Sequence, residues 1–464
     1  MPLKFSSKSI EEHPEVPLAD EGRWDQLVEQ WTARAAGPAR DVTGPGSNAV
    51  YVVSVGPGCD AEAEANAQLA EIVSLVRHQG DRVVGEERVR VARPNPKTLL
   101  GKGATLAIAA RARGAGATMI VLDAELTPSQ ARNLEDALGL AVSDREAVIL
   151  NVFRLHARTR RARVQVEIAR LEYLRPRIRG VGLDMDQQVG GMARARGPGE
   201  TASELLARKL DTRLSELGKV TRRLGTSADT QRRERANAKR IALVGYTNAG
   251  KTSLMNALTA ADLSARDVPF ETLDTTARSL SRHGGDVVIS DTVGFIRRLP
   301  ERLLASFDST LAEVREASLL AVVIDASDPE REMQLATTKR ILERLGASAV
   351  PRMYVWNKID RLRSLDPLDE LQLDALSDGV PWRAVSSHDA VATAALGEAL
   401  LAEVRGDEEE LVLFVPYRAA SVLQMVYGKC RLSESVATDT GLRLTFTASK
   451  PVAAQIARAL REVS

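Results

Sequence analysis

Arg240-Ile241-Ala242-Leu243-Val244-Gly245-Tyr246-Thr247-Asn248-Ala249-Gly250-Lys251-Thr252 decides how the second half of this chain folds. Arg240 to Val244 is a short apolar run that reads as a buried strand, and Ser253 to Thr259 continues with helical spacing. The two glycines between them let main-chain N–H groups turn inward around phosphate oxygens, and the helix N-terminus adds its partial positive charge. Lys251 reaches the β- and γ-phosphates, and the Thr252 hydroxyl is placed to ligate Mg2+. Strand, glycine loop and helix in this order predict a phosphate-binding P-loop.

Three segments further along specify the nucleotide. Asp291-Thr292-Val293-Gly294 follows the strand Val287-Val288-Ile289, which suits a carboxylate that orients Mg2+ through water and a glycine N–H that meets the γ-phosphate. Asn357-Lys358-Ile359-Asp360 closes the strand Met353-Tyr354-Val355-Trp356. An aspartate there accepts two hydrogen bonds from guanine N1 and N2, which adenine does not offer. Val385-Ser386-Ser387, after another strand, is expected to back the base with main-chain donors. The ordered set predicts a GTP- and GDP-binding hydrolase domain over residues 238–406. Between the P-loop and Asp291 lies Phe270-Glu271-Thr272-Leu273-Asp274-Thr275-Thr276, a switch loop in which one threonine ligates Mg2+ while the γ-phosphate is present. Position leaves Thr272, Thr275 and Thr276 open. Phe295 follows Gly294, where many signalling GTPases carry a glutamine that orients the attacking water. A phenyl ring cannot do this, so hydrolysis needs help from a partner or a cation.

Outward from this domain, 464 residues give a prior of roughly three domains, not one, and 44% hydrophobic content excludes a largely disordered chain. Residues 1–47 are polar and punctuated by proline and glycine, and read as a flexible extension. From Tyr51 to Phe153 strands and helices alternate: Tyr51-Val52-Val53-Ser54-Val55, Ala61 to Gln79, Val83 to Val91, Thr98 to Arg113, Met119 to Leu122, then a helix opened by Thr127-Pro128. That alternation predicts a small parallel α/β domain over 48–153. Val164, Ile168 and Leu171, and then Leu206, Leu210, Leu214, Leu217 and Leu224, recur at helical spacing. They predict an antiparallel helical hairpin of coiled-coil type over 154–237, around a glycine- and arginine-rich loop at 175–199. Residues 407–464 read as a small C-terminal α/β domain.

The net charge of +1 averages over unlike segments. Nine arginines stand between Arg154 and Arg179 against Glu167 and Glu172, whereas Asp407 to Glu410 is acidic. Such asymmetry fits a polyanionic partner or a solvated helix face. Aromatic residues at 4% favour contacts to phosphate and shape over base stacking. The longest apolar run, Leu319 to Ile324, falls far short of the ~20 residues of a membrane span. No apolar leader follows Met1, and Cys59 and Cys430 have neither metal-ligand spacing nor a disulfide framework. The chain is expected to be cytoplasmic and monomeric.

From about Tyr51 onward the chain resembles the HflX family of ribosome-associated GTPases. The resemblance lies in Asn95-Pro96-Lys97, Leu100-Gly101-Lys102-Gly103, Leu126 through Glu135, Ala157-Arg158-Thr159, Gln165-Val166-Glu167 and Gly197 through Thr201. Gly245 through Lys251 and Phe270 through Asp274 match as well. It implies a GTPase that binds the large ribosomal subunit and its RNA and splits or rescues stalled or idle ribosomes. It also implies Mg2+ on Thr252 and Thr272, and a catalytic set of Lys251, Asn248, Thr272 and Gly294. Asn248 stands where some similar GTPases hold K+ beside the phosphates, and its other reading is that it satisfies loop backbone. Departures are Thr252 for serine, Thr275 for proline, and Ala202-Ser203-Glu204-Leu205-Leu206 in place of a more polar continuation. The rival from another class is a regulatory GTPase switch acting on a protein effector without the ribosome. An RNA-modifying enzyme would need a second catalytic cluster, and the five histidines, His156 and His388 among them, form none in sequence.

Overall fold

Val50, Val52 and Val53 have no exposed surface, and a β-branched run buried on both faces belongs inside a parallel sheet. The computed structural model describes residues 48–57, 62–178, 202–234, 239–259, 276–280, 287–300, 302–303, 308–362, 367–406 and 408–463. In it these valines lie on β1 (Ala49–Gly56), which pairs in parallel with β2 (Arg82–Arg90) and β3 (Met119–Asp123). β4 (Ala141–Asp144) adds to β3, giving the order β2-β1-β3-β4. The connections are α1 (Glu62–His78), α2 (Lys102–Gly114) and α3 (Pro128–Leu138), so the alternation expected from the sequence is observed. α3 starts where Thr127 forms a capping box with Gln130 and Pro128 presets the first turn, and it stops at Gly139 in the left-handed conformation, φ +64°. Tyr51, Val53, Leu100, Ile108, Leu122, Leu134 and Leu138 form the core of this layer.

Two stretches that carry the family resemblance meet here. Asn95 and Leu99 exchange main-chain hydrogen bonds of 2.9 and 2.8 Å, and α3 fastens the resulting turn. Gln130 Nε2 donates to Pro96 O at 3.3 Å and Asn133 Nδ2 to Lys97 O at 2.9 Å. At the carboxyl end of the sheet Arg145, which opens α4 (Arg145–His156), is 1% exposed. It donates to Asp123 Oδ1 at 2.5 Å and to Glu71, and Gln68 Nε2 donates to the other Asp123 oxygen at 2.6 Å. Arg177 Nη2 ties α5 (Arg160–Ile178) to Asp144 at 2.7 Å and to Leu126 O at 2.8 Å.

The described residues fall into two compact units, one from Met1–Val148 with Leu174–Lys209 and one from Ile149–Tyr173 with Leu210–Ser464. The division cuts α5 and α6 (Ala202–Glu234). In the second unit Val164, Leu171, Leu210 and Leu217 are buried, as their spacing predicts, and Ile168, Leu214 and Leu224 are half-buried. Arg213 Nε donates to Glu167 Oε1 at 2.9 Å, joining the two helices through an arginine that is 6% exposed. Leu206 and most of the expected loop at 175–199, with the extension 1–47, lie outside what can be described. On the rest of α5, Arg158 just before it and Arg160, Arg163 and Arg175 within it are exposed.

The same unit holds a six-stranded sheet, β10-β9-β8-β5-β7-β6. β5 (Lys239–Gly245) lies between β7 (Val287–Asp291) and β8 (Leu319–Asp325), and β9 (Arg352–Asn357) and β10 (Trp382–Ala384) extend one side. All run parallel except β6 (Thr276–Ser279), which is antiparallel to β7. Connecting helices are α7 (Lys251–Thr259), α8 (Asp308–Arg315), α9 (Arg331–Arg344) and α10 (Pro367–Ser377), with α11 (Ala390–Arg405) after β10. Ile241, Leu243, Leu254, Ala321, Val323, Val355 and Leu400 lie in its core. The chain then forms the antiparallel sheet β11-β13-β12, from β11 (Glu408–Pro416), β12 (Arg431–Ala437) and β13 (Gly441–Ser449). α12 (Ala420–Lys429) and α13 (Lys450–Val463) supply Val422, Val426 and Ile456 to a core with Val415, Leu444 and Phe446. Among the described residues no helix is long and apolar enough to cross a membrane.

Candidate active site

β5, β7, β8 and β9 are parallel neighbours, so Gly245, Asp291, Asp325 and Asn357 arrive together at the carboxyl edge of one sheet. Open α/β sheets bind ligands at that edge. The loop after β5 depends on its glycines. Gly245 has φ +149° and Gly250 φ +89°. A β-carbon at Gly245 would lie 2.1 Å from Val323 O, and one at Gly250 would lie 2.3 Å from Asn357 Nδ2. Asn248 takes φ +62°, a left-handed conformation that asparagine tolerates better than most side chains.

Lys251 opens α7 with its ammonium folded back under the loop, where Nζ donates to Gly245 O at 3.2 Å and Tyr246 O at 2.9 Å. Burial lowers its pKa to about 8, with Asp291 opposing the shift and Lys358 adding to it. Thr252 Oγ1 donates to Asp291 Oδ2 at 2.7 Å, which brings together two of the oxygens expected around Mg2+. Thr292 Oγ1 donates to Leu243 O at 2.7 Å and fixes the strand end, and Val293 is buried beside it. At Gly294 a β-carbon would stand 2.9 Å from Thr247 Cα and 3.0 Å from Lys251 Nζ, so only glycine fits. The Phe295 ring is 1% exposed. Its role here is packing and main-chain pairing with the loop.

On the base side Asn357 is a staple. Its Nδ2 donates to Ala249 O at 3.0 Å, and its Oδ1 accepts from Ser387 N at 3.2 Å. Lys358, at φ +63°, donates from Nζ to Asn248 O at 2.6 Å and pairs with Asp325 Oδ2 at 2.8 Å. Ile359 N donates to Val385 O at 3.4 Å. Asp360 is exposed, and the Ser386 hydroxyl holds its carboxyl below the usual range against the opposing effect of burial. Val385 N donates to Trp356 O at 2.8 Å, so two of the three main-chain donors expected here, Val385 and Ser387, are engaged within the protein. Phe270, Glu271, Thr272, Leu273 and Asp274 lie outside the described residues.

Two features carry no sequence signal of their own. Asp325 ends an apolar strand like any other terminal acid, yet Ser327 N and Oγ both donate to its Oδ1, at 3.0 and 2.6 Å, and aim its other oxygen at Lys358. The Tyr246 hydroxyl accepts from Arg297 N at 2.9 Å.

With this geometry in place, the comparisons with known proteins agree along the chain. Residues 66–154 match a family model described as GTP-binding GTPase N-terminal, 156–235 one described as GTP-binding GTPase Middle Region, and 240–358 one described as 50S ribosome-binding GTPase. The chain is 38% identical over 434 residues to GTPase HflX of Gluconacetobacter diazotrophicus, covering 85% of this chain and 94% of that protein. The chain belongs to the HflX family of GTPases. GTPase HflX of Escherichia coli K12 is 35% identical over 352 residues, covering 75% of this chain and 82% of the relative. Among solved structures, a GTP-binding protein from Sulfolobus solfataricus in complex with GDP is 23% identical, with a TM-score of 0.41, over 77% of this chain and 98% of that one. Membership of the HflX family makes this a P-loop GTPase that hydrolyses GTP.

Proposed function

We propose that this HflX-family GTPase binds the large ribosomal subunit in its GTP state, splits or rescues stalled or idle ribosomes, and is released when GTP is hydrolysed. The observation that carries the reading is the match of residues 240–358 to the model described as 50S ribosome-binding GTPase. The exposed Arg158, Arg160, Arg163 and Arg175 support it, since guanidinium groups suit phosphate contacts. Residues 48–153, 154–237, 238–406 and 407–464 are then the four working parts after the extension. The chain acts as a monomer in the cytoplasm.

Within the site, Lys251 and the main-chain N–H groups of 247–252 hold the β- and γ-phosphates, and Asp360 accepts from guanine. Thr252 and, from the switch loop, Thr272 would hold Mg2+, whose charge neutralises the phosphate oxygens. Lys251, Asn248, Thr272 and Gly294 form the catalytic set; Asn248 would hold K+, which would supply positive charge to the transition state where no water-orienting glutamine stands. Hydrolysis is therefore faster in K+ than in Na+ and loses that difference in Asn248→Ala; equal rates in the two salts contradict the cation.

Sedimentation with large ribosomal subunits in GDP, GTP and a non-hydrolysable analogue tests the partner. Analogue-dependent co-sedimentation that weakens steeply with salt is expected. Nucleotide-dependent binding to another protein, insensitive to salt and ribonuclease, would replace the ribosome with a protein effector.

A further inference from the structure

The P-loop and the segment after Asp291 are laced together more tightly than phosphate binding alone requires. Phe295 N donates to Gly245 O at 3.0 Å and Thr247 N donates to Phe295 O at 2.7 Å, a short parallel bridge between Tyr246 and Phe295. A third tie lies two residues on, where Arg297 N donates to the Tyr246 hydroxyl at 2.9 Å. Both residues are buried, at 6% and 9% exposure. The Arg297 guanidinium in turn donates to Glu330 Oε2 at 2.7 Å, on the residue that precedes α9.

So fastened, Gly294 lies against Lys251, with its β-carbon position 3.0 Å from Lys251 Nζ. A γ-phosphate that bonds both Lys251 Nζ and the Gly294 N–H has to stand between them. The segment must then withdraw from Thr247 before a triphosphate can be seated. A diphosphate makes no such demand.

We propose that Tyr246, Arg297 and Glu330 form a latch that holds residues 294–297 against the P-loop and thereby sets the ratio of GTP to GDP affinity. Tyr246 is a positioning residue: its hydroxyl acts on residues 294–297 through Arg297 N. Taking this acceptor from a buried N–H weakens the latched arrangement and leaves the withdrawn one untouched. A ligand that needs the withdrawn arrangement gains as that population rises, and a ligand that binds both gains nothing.

The test compares the dissociation constants of GDP and of a non-hydrolysable GTP analogue in the full wild-type chain, Tyr246→Phe and Glu330→Gln. Tyr246→Phe is expected to move the ratio roughly tenfold toward the triphosphate, and Glu330→Gln moves it less in the same direction. A role confined to packing weakens both nucleotides together and leaves the ratio fixed. A fixed ratio in both variants, or a shift toward GDP, overturns the latch. The measurement contains no ribosome, so failure of the ribosomal reading leaves its result intact.

Discussion

The two parallel sheets of this chain end in opposite ways. At the carboxyl end of β3, Arg145 bridges Asp123 and Glu71, and Gln68 takes up the second Asp123 oxygen, so charge and hydrogen bonds close on themselves. At the carboxyl ends of β5, β7 and β9, side chains instead brace a glycine loop, and Asp360 is left exposed. Strand–helix alternation is common to both. What differs is local: Gly245 and Gly250 hold positive φ values of +149° and +89°, and among the described residues no such pair stands after β1 or β3. Parallel α/β architecture therefore supplies an edge, and the residues at that edge decide whether it becomes a wall or a site.

The sharpest way to break this contrast is to remove the central cation of each. Arg145→Met strands the buried Asp123 carboxylate beside the half-buried Glu71 and is expected to destabilise the first unit by about 3–5 kcal/mol in urea titrations, with nucleotide affinity unchanged. Lys251→Met should do the reverse. Nucleotide affinity falls roughly a hundredfold, about 2.7 kcal/mol, while the nucleotide-free protein becomes more stable. The sign follows from linkage. The lysine pKa is lowered from 10.5 to about 8, so between those values the unfolded chain binds more protons and stability rises with pH. At pH 7 the buried ammonium costs up to about 3 kcal/mol. Phosphate restores the charged form, so nucleotide binding takes up close to one proton near pH 9 and little at pH 7, measurable by calorimetry in buffers of different ionisation enthalpy. A nucleotide-free Lys251→Met protein that melts no higher than wild type contradicts this.

A smaller effect separates bracing from binding. Asp325→Asn leaves every expected nucleotide contact in place but loosens Lys358 from Asn248 O, and GDP should dissociate several-fold faster, about 1 kcal/mol, in a fluorescent-nucleotide chase. An unchanged off-rate removes Asp325 from the site. Smallest of all is the effect of Ser386. Because its hydroxyl holds the Asp360 carboxyl low, guanine affinity is flat from pH 7 to pH 5 and falls only as pH drops through that lowered pKa. In Ser386→Ala the fall begins at higher pH.

Much of this was legible in the sequence where the chemistry is local. The P-loop needs particular residues within eight positions, and the start of α3 is announced by Thr127 and Pro128 side by side. The apolar runs of β1, β5 and β8 declare strands because burial on both faces admits little else. The rest depends on partners far apart in the chain. Arg145 finds its acids 22 and 74 residues away, and Tyr246 meets Arg297 across 51. No spacing rule links such pairs. Arg213 shows the same limit: in a basic helix it reads as one more solvated charge, whereas it is buried on Glu167.

The most direct measurement is GTP hydrolysis by the full chain as purified large ribosomal subunits are titrated in at low salt. A slow basal rate that rises at least tenfold to saturation, and that Lys251→Met abolishes, is the predicted result. A rate indifferent to the subunits would contradict the ribosomal function while leaving the GTPase site standing.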